Sequence, residues 1–332
     1  MAAVPARLPT PGRWRRDWRF WKLWTFAPRP SPRWCSPPRT IRSFLWTRRA
    51  NWRKAAANFL CGRRAAMACP GPTRPFAPKK SGISCAIMAG EQKIVAAFDA
   101  AAESYDAWTE VQSAVARALV ARAAADFARA PKTVLDIGAG TGHVTGFARA
   151  NWSQAHIAAL DAAPHMLARL KAKFPDVETI QADAAAYSGA ARYDLILSSM
   201  ALHWLADPVA ALARWRGLLA PGGELHVAVP VQGSLQEWRS FLHKAGLEDS
   251  LWPFPASFPG AELAAFPARF DSALAFARSL KKSGAHTGAP GGRPLPAPAL
   301  RKALAAHSGP FDVTFQVAFI RLEAASPRPP AR

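Results

Sequence analysis

The sequence predicts an α/β protein built around an open, parallel β-sheet. The first indication is segment 134–142, where an apolar strand runs into a glycine-rich turn. The second is the alternation of strand and helix patterns after this turn, which is typical of parallel sheets with right-handed crossovers. The third is that residues 1–87 show neither period, so we expect the folded part to follow them.

Composition divides the 332-residue chain near residue 87. Residues 1–87 hold 19 of the 43 Lys and Arg, one acid (Asp17), seven of the 13 Trp and all four Cys. The cysteine spacings match no metal motif, and no run of about 20 apolar residues could span a bilayer. We therefore expect 1–87 to be an unstructured basic leader, 88–332 to be the folded domain, and neither a metal nor a membrane as partner.

Three interpretations of this leader stay open. A transit peptide would share its excess of Arg and lack of acids, and a basic arm rich in Trp could bind nucleic acid. The third, which we favour, is an upstream extension outside the native protein, with Met88 as the native start. Because the other 245 residues carry a formal charge of only +3, we expect no nucleic-acid partner.

Two amphipathic helices are predicted before the first strand. From Glu91, apolar residues recur at intervals of three and four and share one helix face. They are Phe98, Ala101, Ala102, Tyr105 and Trp108. Similar spacing from Val111 to Phe127 predicts a second helix that ends before Pro131. If the first helix folds over the sheet as a lid, Tyr105 comes near the ligand cleft.

Strands and helices then alternate. The predicted strands are 133–137, 157–161, 179–183, 193–199, 224–229 and 311–320. The predicted helices run through Arg149, over 164–174 and over 208–219, before a tight turn at 221–223. Ligands in open α/β sheets bind beyond the carboxyl ends of the strands, so we expect segment 198–204 to line the active site.

The region 233–302 is less regular and is predicted to cap the substrate. Helical patterns at 235–245, 261–266 and 272–280 are broken by Pro and Gly. A mobile loop is expected at 283–298 and a disordered tail at 326–332.

The glycine turn is predicted to hold a cofactor. Gly138 can take backbone angles closed to other residues, Gly140 lets the main chain approach a ligand, and Gly142 lets the next helix start close to the strand. A dinucleotide fingerprint would need glycine where this chain has His143, and a Walker loop would need a Gly-Lys-Ser/Thr that is absent.

Acids at the strand ends favour a cofactor with an amine, a ribose and an adenine. Asp136 precedes the glycines, where it would repel a pyrophosphate but suits an amine. Asp161 ends the second strand, where a carboxylate can accept both ribose hydroxyls, although it could instead cap the next helix. Asp183 suits the amino edge of adenine. S-Adenosylmethionine has all three groups.

Together these segments resemble the class I S-adenosylmethionine-dependent methyltransferases over about 132–230. This resemblance implies a Rossmann-like methyltransferase sheet with N-terminal lid helices and a small helical insertion, and S-adenosyl-L-methionine as cofactor. The implied cofactor-binding residues are Asp136, Gly138, Ala139, Gly140, Gly142, Asp161, Ala162, Met166, Asp183, Ala184 and Ser198.

A narrower resemblance, over about 94–322, is to the malonyl-acyl-carrier-protein O-methyltransferases of biotin synthesis. It rests on segment 98–106 with Gln112, on 231–238 and on 278–285. It implies methylation of the free carboxylate of a malonyl group carried by acyl carrier protein or CoA. It also implies a cytoplasmic enzyme, which we expect to be monomeric.

Methyl transfer of this kind is an in-line displacement that needs a positioned nucleophile in a dry pocket. A carboxylate, with a pKa of about 4–5, is ionised at pH 7 and needs no general base. We take Tyr105 and His203 as candidate catalytic residues. Tyr105, or an arginine from 214–293, would orient the carboxylate. His203 could be a base for a hydroxyl acceptor, although packing against Trp204 is its simpler role.

Partners and alternatives follow from the remaining patterns. Arg278, Lys281 and Lys282 share a predicted helix face that could dock an acidic carrier protein. One alternative is methylation of a small free acid such as aconitate. Another is a non-catalytic assembly factor, and a third, only if the leader is native, is a nucleic-acid methyltransferase.

Overall fold

The computed structural model describes residues 82–248, 251–288 and 295–325, with side chains described from residue 92 onward. The predictions for residues 1–81, for the tail 326–332 and for part of the loop at 283–298 lie outside these described residues. The first described helix spans Gly82–Ala101, so helical backbone is present six residues before the boundary expected at Met88.

A seven-stranded sheet forms the centre, in the order β3-β2-β1-β4-β5-β7-β6. The strands are β1 Thr133–Ile137, β2 His156–Asp161, β3 Glu178–Gln181, β4 Tyr193–Ser199, β5 Leu219–Pro230, β6 Glu262–Phe270 and β7 Phe311–Glu323. Strands β1 to β5 pair in parallel, and β7 is antiparallel to both β5 and β6. The predicted α/β fold is confirmed.

The helices are α1 Gly82–Ala101, α2 Glu110–Asp126, α3 His143–Asn151, α4 Pro164–Lys173, α5 Pro208–Arg216, α6 Gln236–Lys244, α7 Ala273–Lys282 and α8 Ala297–Ala306. Alternate strand residues point into two apolar layers. Val134 belongs to the layer with α2, α3, α6 and α7, and Leu135 to the layer with α5. Helices packed on both faces of the sheet therefore hold β1 in place.

The predicted helix at 261–266 is wrong, because this segment belongs to β6. Its Ala, Glu and Leu residues favour a helix, but β6 pairs with β7 from Glu262 to Phe270. Long-range pairing therefore overrides local preference. Part of the predicted helical insertion is thus the edge of the sheet.

Two predicted boundaries also change. The predicted first helix ends at Ala101, and a separate 3₁₀ turn spans Tyr105–Trp108. The helix predicted over 208–219 ends at Arg216, and the predicted turn at 221–223 lies inside β5, where the pairing with β4 shifts register. Within the described part of the chain, no helix has the length and apolar character needed to cross a membrane.

Candidate cofactor and acceptor site

The glycine turn joins the ends of β1 and β2. Gly138 has a φ of +71°, and a Cβ there would lie 2.4 Å from the Cβ of Ala201. Its N–H donates to the Leu160 carbonyl (2.8 Å), and the N–H of Ala139 donates to the same oxygen (3.0 Å). Glycine is therefore required at 138, both for its backbone angles and for the close approach of the β4 exit.

Space opens at the second glycine of the turn. Gly140 has a φ of +54°, and no atom of the described residues lies within 4 Å of where its Cβ would stand. At Gly142, by contrast, a Cβ would lie 2.9 Å from the Phe174 ring and 3.1 Å from Leu170. Gly140 thus lets a ligand approach the main chain. Gly142 makes room for side chains around α4, whereas the sequence predicted that it would let the next helix start close to β1.

Asp136 is a buried acid with one oxygen unpaired. The residue is 1% exposed, and its Oδ2 accepts a hydrogen bond from the Thr145 hydroxyl (2.6 Å). Its Oδ1 is buried and has no hydrogen-bond partner among the described residues. Burial raises the pKa of Asp136 to about 7, against the hydrogen bond from Thr145. A cationic amine at Oδ1 would therefore stabilise the ionised form.

Asp161 organises the turn from the end of β2. Its Oδ2 accepts the N–H of Gly140 (2.8 Å), and its Oδ1 accepts the N–H of Ala163 (2.9 Å). Burial outweighs these bonds and raises the pKa of Asp161. The N-cap of α4 is Ala163, so the alternative role of Asp161 as that cap is wrong. Each carboxylate oxygen has a second lone pair that could accept a ribose hydroxyl.

The turn after β3 holds Asp183 at the protein surface. Its Oδ1 accepts the N–H of Ala185 (2.8 Å). The carbonyl of Ala184 accepts the indole N–H of the buried Trp215 (2.8 Å), which fixes this turn to α5. The N–H of Ala182 donates to the Asp161 carbonyl (3.1 Å), so the β2 and β3 exits are joined.

Other predicted cofactor residues lie within or beside this frame. The buried Ser198 donates its hydroxyl to the Ile137 carbonyl (2.9 Å), which ties β4 to β1. Met166 is buried in a small cluster with Ala102 and Ala163, while Ala162 is half-buried. Ser198 therefore fixes the strand end before the turn, whereas Met166 packs against α1.

The segment after α1 folds over the glycine turn, and we call residues 99–109 the lid segment. The Asp106 carboxylate accepts the Thr141 hydroxyl (2.5 Å) and lies 2.5 Å from Lys173 Nζ. The Thr109 hydroxyl lies 3.0 Å from His143 Nε2. These contacts, which sequence patterns gave no sign of, place the lid segment over the turn.

Asp99 fastens the start of the lid segment to α4. Its two carboxylate oxygens lie 2.7 Å from the N–H and 2.6 Å from Nδ1 of His165. The start of the lid segment is thereby tied to the first turn of α4.

Tyr105 is half-buried at this lid and faces the acids. Burial, together with Asp161 and Asp106, raises the pKa of its hydroxyl above the usual range. The hydroxyl therefore stays protonated at neutral pH and can donate a hydrogen bond.

Beside the turn lies a cavity of about 50 Å³, which we call the acceptor cavity. Its polar side chains include Tyr105, Gln112 and His203. Its other lining residues are Phe98, Met200, Trp204, Pro230, Leu235, Leu251, Trp252, Phe254, Leu280, Ser283, Ala285 and Phe315. Met200, at the β4 exit, has the strained φ of 56°, which is typical of residues at functional sites.

None of the described residues that line this cavity is charged, so the expected arginine is not among them. Arg239 lies behind the wall, its guanidinium carbon 5.8 Å from the Phe254 ring centre. Arg269 pairs with Asp312 (3.3 Å) on the sheet edge. Arg293 lies outside the described residues.

His203 is packed rather than poised as a base. It is 6% exposed, and its ring centre lies 4.6 Å from that of Trp204 and 5.7 Å from that of Phe254. Burial lowers the pKa of His203 to about 3, far from the neutral range in which a general base is effective.

Gln112 also lines the cavity. It was missed as a site residue, although the narrower resemblance rested partly on it.

Part of this site falls within a match to a known protein family. Residues 134–223 match the family described as "Methyltransferase domain", and this match spans the glycine turn and the three acids. Over residues 134–223 the chain is therefore similar to methyltransferase domains. The unpaired Oδ1 of Asp136 and the free space at Gly140 fit the amine and the main-chain approach of S-adenosylmethionine, the cofactor that the sequence predicts.

Several curated proteins are similar to this chain. It is 34% identical over 247 residues to "Biotin biosynthesis bifunctional protein BioCD" of Bordetella avium, covering 69% of this chain and 52% of the relative. It is 39% identical over 101 residues to a trans-aconitate 2-methyltransferase of Methylobacterium radiotolerans, covering 30% and 39%. It is 29% identical to a malonyl-[acyl-carrier protein] O-methyltransferase of Laribacter hongkongensis, covering 62% and 77%. The chain thus spans about half or less of the first two relatives.

Proposed function

We propose that this methyltransferase transfers a methyl group to the free carboxylate of a malonyl thioester. The observation that carries the proposal is the chemistry of the acceptor cavity. His203, with its pKa lowered to about 3, is too weak a base to activate a hydroxyl, and Tyr105 holds its proton too tightly. An acceptor that is already ionised suits such a cavity, and a carboxylate is ionised at pH 7.

The strand exits would hold the cofactor in three places. Asp136 would pair with its ammonium group, Asp161 with the ribose hydroxyls and Asp183 with the amino edge of adenine. Gly140 would let its main chain approach. The bound cofactor supplies an electrophilic methyl group on a sulfonium.

The acceptor side would contribute position and dryness. The Tyr105 hydroxyl would donate to the acceptor carboxylate and limit its rotation. The Phe98 and Trp204 rings, which meet edge to face with centres 5.3 Å apart, would exclude water. A desolvated carboxylate aligned in this way attacks without a proton transfer.

The breadth of the resemblance supports a malonyl thioester over a small free carboxylic acid. The matches to the Bordetella avium and Laribacter hongkongensis proteins cover 69% and 62% of this chain. The trans-aconitate 2-methyltransferases cover 30–39% of it. We therefore give the small free acid second place.

A basic face next to the acceptor cavity supports a carrier-bound acceptor. Arg278, Lys281 and Lys282 are exposed on α7, while Leu280 and Ser283 at the same helix end line the cavity. Acyl carrier proteins are acidic, so this face would steer one toward the cavity. We expect transfer to the malonyl group on its carrier protein to slow several-fold as the salt concentration rises from 0.05 to 0.5 M. Transfer to a malonyl thioester of a small uncharged thiol should change little. Equal salt responses would contradict docking through α7.

The test uses the full chain with methyl-labelled S-adenosylmethionine. The acceptors are malonyl carrier protein, malonyl-CoA, trans-aconitate and malonate. The proposal expects a base-labile methyl ester on the malonyl thioesters. Transfer to trans-aconitate alone would favour the second candidate, and binding of the cofactor without any transfer would favour a non-catalytic role. Either result would overturn the proposal.

A further inference from the structure

The acceptor cavity has to bind an anion without a cation from the described residues that line it. Moving a carboxylate from water into an apolar cavity is costly unless hydrogen bonds replace its hydration. Two side chains that line the cavity have polar groups suited to this task, Gln112 and His203.

Gln112 lies in the first turn of α2, directly after the lid segment. It is half-buried, and its side-chain amide makes no hydrogen bond to any described residue. The neighbouring Thr109 is fully buried and its hydroxyl contacts the Tyr105 carbonyl (2.9 Å) as well as His143. The same turn thus anchors Tyr105 and Gln112 together.

His203 also lines the cavity and is buried. Trp204 and Phe254 pack against its ring, and Nδ1 is buried with no hydrogen-bond partner in the described part of the chain. A buried ring nitrogen without a partner costs free energy, and a bound acceptor oxygen could supply the missing bond.

Building on the function proposed above, we propose that Gln112 and His203 bind the acceptor carboxylate through neutral N–H groups, in place of the expected arginine. Neutral donors orient the carboxylate but leave it its charge, so it remains nucleophilic. A guanidinium would bind it more tightly in the ground state and withdraw that charge. Both residues are positioning residues, and selectivity for an acid over its methyl ester follows from them.

The direct test measures binding rather than turnover. The protein is saturated with S-adenosylhomocysteine and titrated with malonyl-N-acetylcysteamine and with its methyl ester, using the fluorescence of Trp204 and Trp252 in the cavity wall. The wild type should bind the acid at least 10-fold more tightly than the ester. Gln112→Glu should weaken binding of the acid by at least 10-fold and leave binding of the ester unchanged. His203→Phe, which keeps a ring but has no ring N–H, should weaken binding of the acid several-fold.

The matched control is Gln154→Glu, which adds the same charge at an exposed residue just before β2. It should bind both ligands like the wild type, and all variants should bind S-adenosylhomocysteine equally. In transfer assays the Gln112→Glu defect should fall on KM. Unchanged binding of the acid by both site variants, or no preference of the wild type for the acid, would overturn the proposal. Selective binding of the acid without methyl transfer would support the role of Gln112 and His203 in binding the carboxylate. It would refute the proposed function instead.

Discussion

Asp136 and Glu224 are buried acids on neighbouring parts of one sheet, and their pKa values shift in opposite directions. Asp136 has one hydrogen bond, an unpaired Oδ1 and a pKa raised to about 7 by burial. Glu224, 8% exposed in the middle of β5, contacts His226 (2.8 Å) and accepts two hydrogen bonds from Arg321 (2.9 and 2.6 Å). Burial raises the pKa of Glu224, but these partners outweigh burial and hold it below its usual range.

The difference separates a structural acid from one kept for a ligand. Glu224 is fully paired where β5 and β7 meet, so its charge stabilises the fold. Asp136 sits at the glycine turn with half of its carboxylate unpaired, at a cost in free energy that a cationic ligand can offset. A buried acid left short of partners is a better indicator of a site than burial alone.

The largest expected effect separates the two acids by stability. Glu224→Gln removes the closest counter-charge of the Arg321 guanidinium and leaves it Glu323 at 3.9 Å, so it should lower the free energy of unfolding by about 2–3 kcal/mol. Asp136→Asn should change it by less than about 1 kcal/mol, because Asn can still accept the Thr145 hydroxyl. Urea unfolding at pH 7 measures both. Equal losses in the two variants would remove the distinction.

The pH dependence of stability should show opposite signs for the two acids. A raised pKa means that the contribution of Asp136 is fully present below its unfolded pKa of about 4 and is lost as pH rises toward 7. A lowered pKa means that the contribution of Glu224 is present above about 4.5 and is lost as pH falls. Each slope is on the order of 1 kcal/mol per pH unit at most.

Urea unfolding of cofactor-free protein from pH 3.5 to 8 checks these signs. Asp136→Asn should reduce the loss between pH 4 and 7, to which Asp161 with its raised pKa also contributes, and Glu224→Gln should reduce the acid-side loss. Identical pH profiles for wild type and Asp136→Asn would mean that Asp136 is not the buried acid that titrates.

Asp106 sharpens the comparison with a smaller effect, because its carboxylate is paired but one third exposed. Hydrogen bonds from Lys173 and Thr141 outweigh partial burial and lower its pKa. Asp106→Asn should cost less than about 1 kcal/mol of stability and weaken S-adenosylhomocysteine binding a few-fold by loosening the lid segment. Calorimetric titration tests this, with Asp176→Asn, an exposed partner of Arg149, as control. A loss equal to that in Asp136→Asn would assign Asp106 to the cofactor itself.

Sequence patterns located the strand-end residues of the proposed cofactor half but not most residues that line the acceptor cavity, for a physical reason. Asp136, Gly138 and Asp161 lie at strand ends, and local periodicity with turn chemistry locates such positions. The acceptor cavity joins Gln112 to Trp252 and Phe254, more than 130 residues later in the chain, and no local pattern encodes that meeting. Strand β6 was mispredicted for the same reason, since its partner β7 decides its conformation.

The central claim is that the exits of β1 and β2 hold the cofactor, with Asp136 facing its amine. The most direct measurement is calorimetric titration of S-adenosylhomocysteine into wild type and Asp136→Asn at pH 6 and pH 8. Because Asp136 should ionise near pH 7, wild-type affinity should rise by about 10-fold between these pH values. The variant should bind more weakly at pH 8 and show little change with pH. Equal affinities for the two proteins at both pH values would contradict the account.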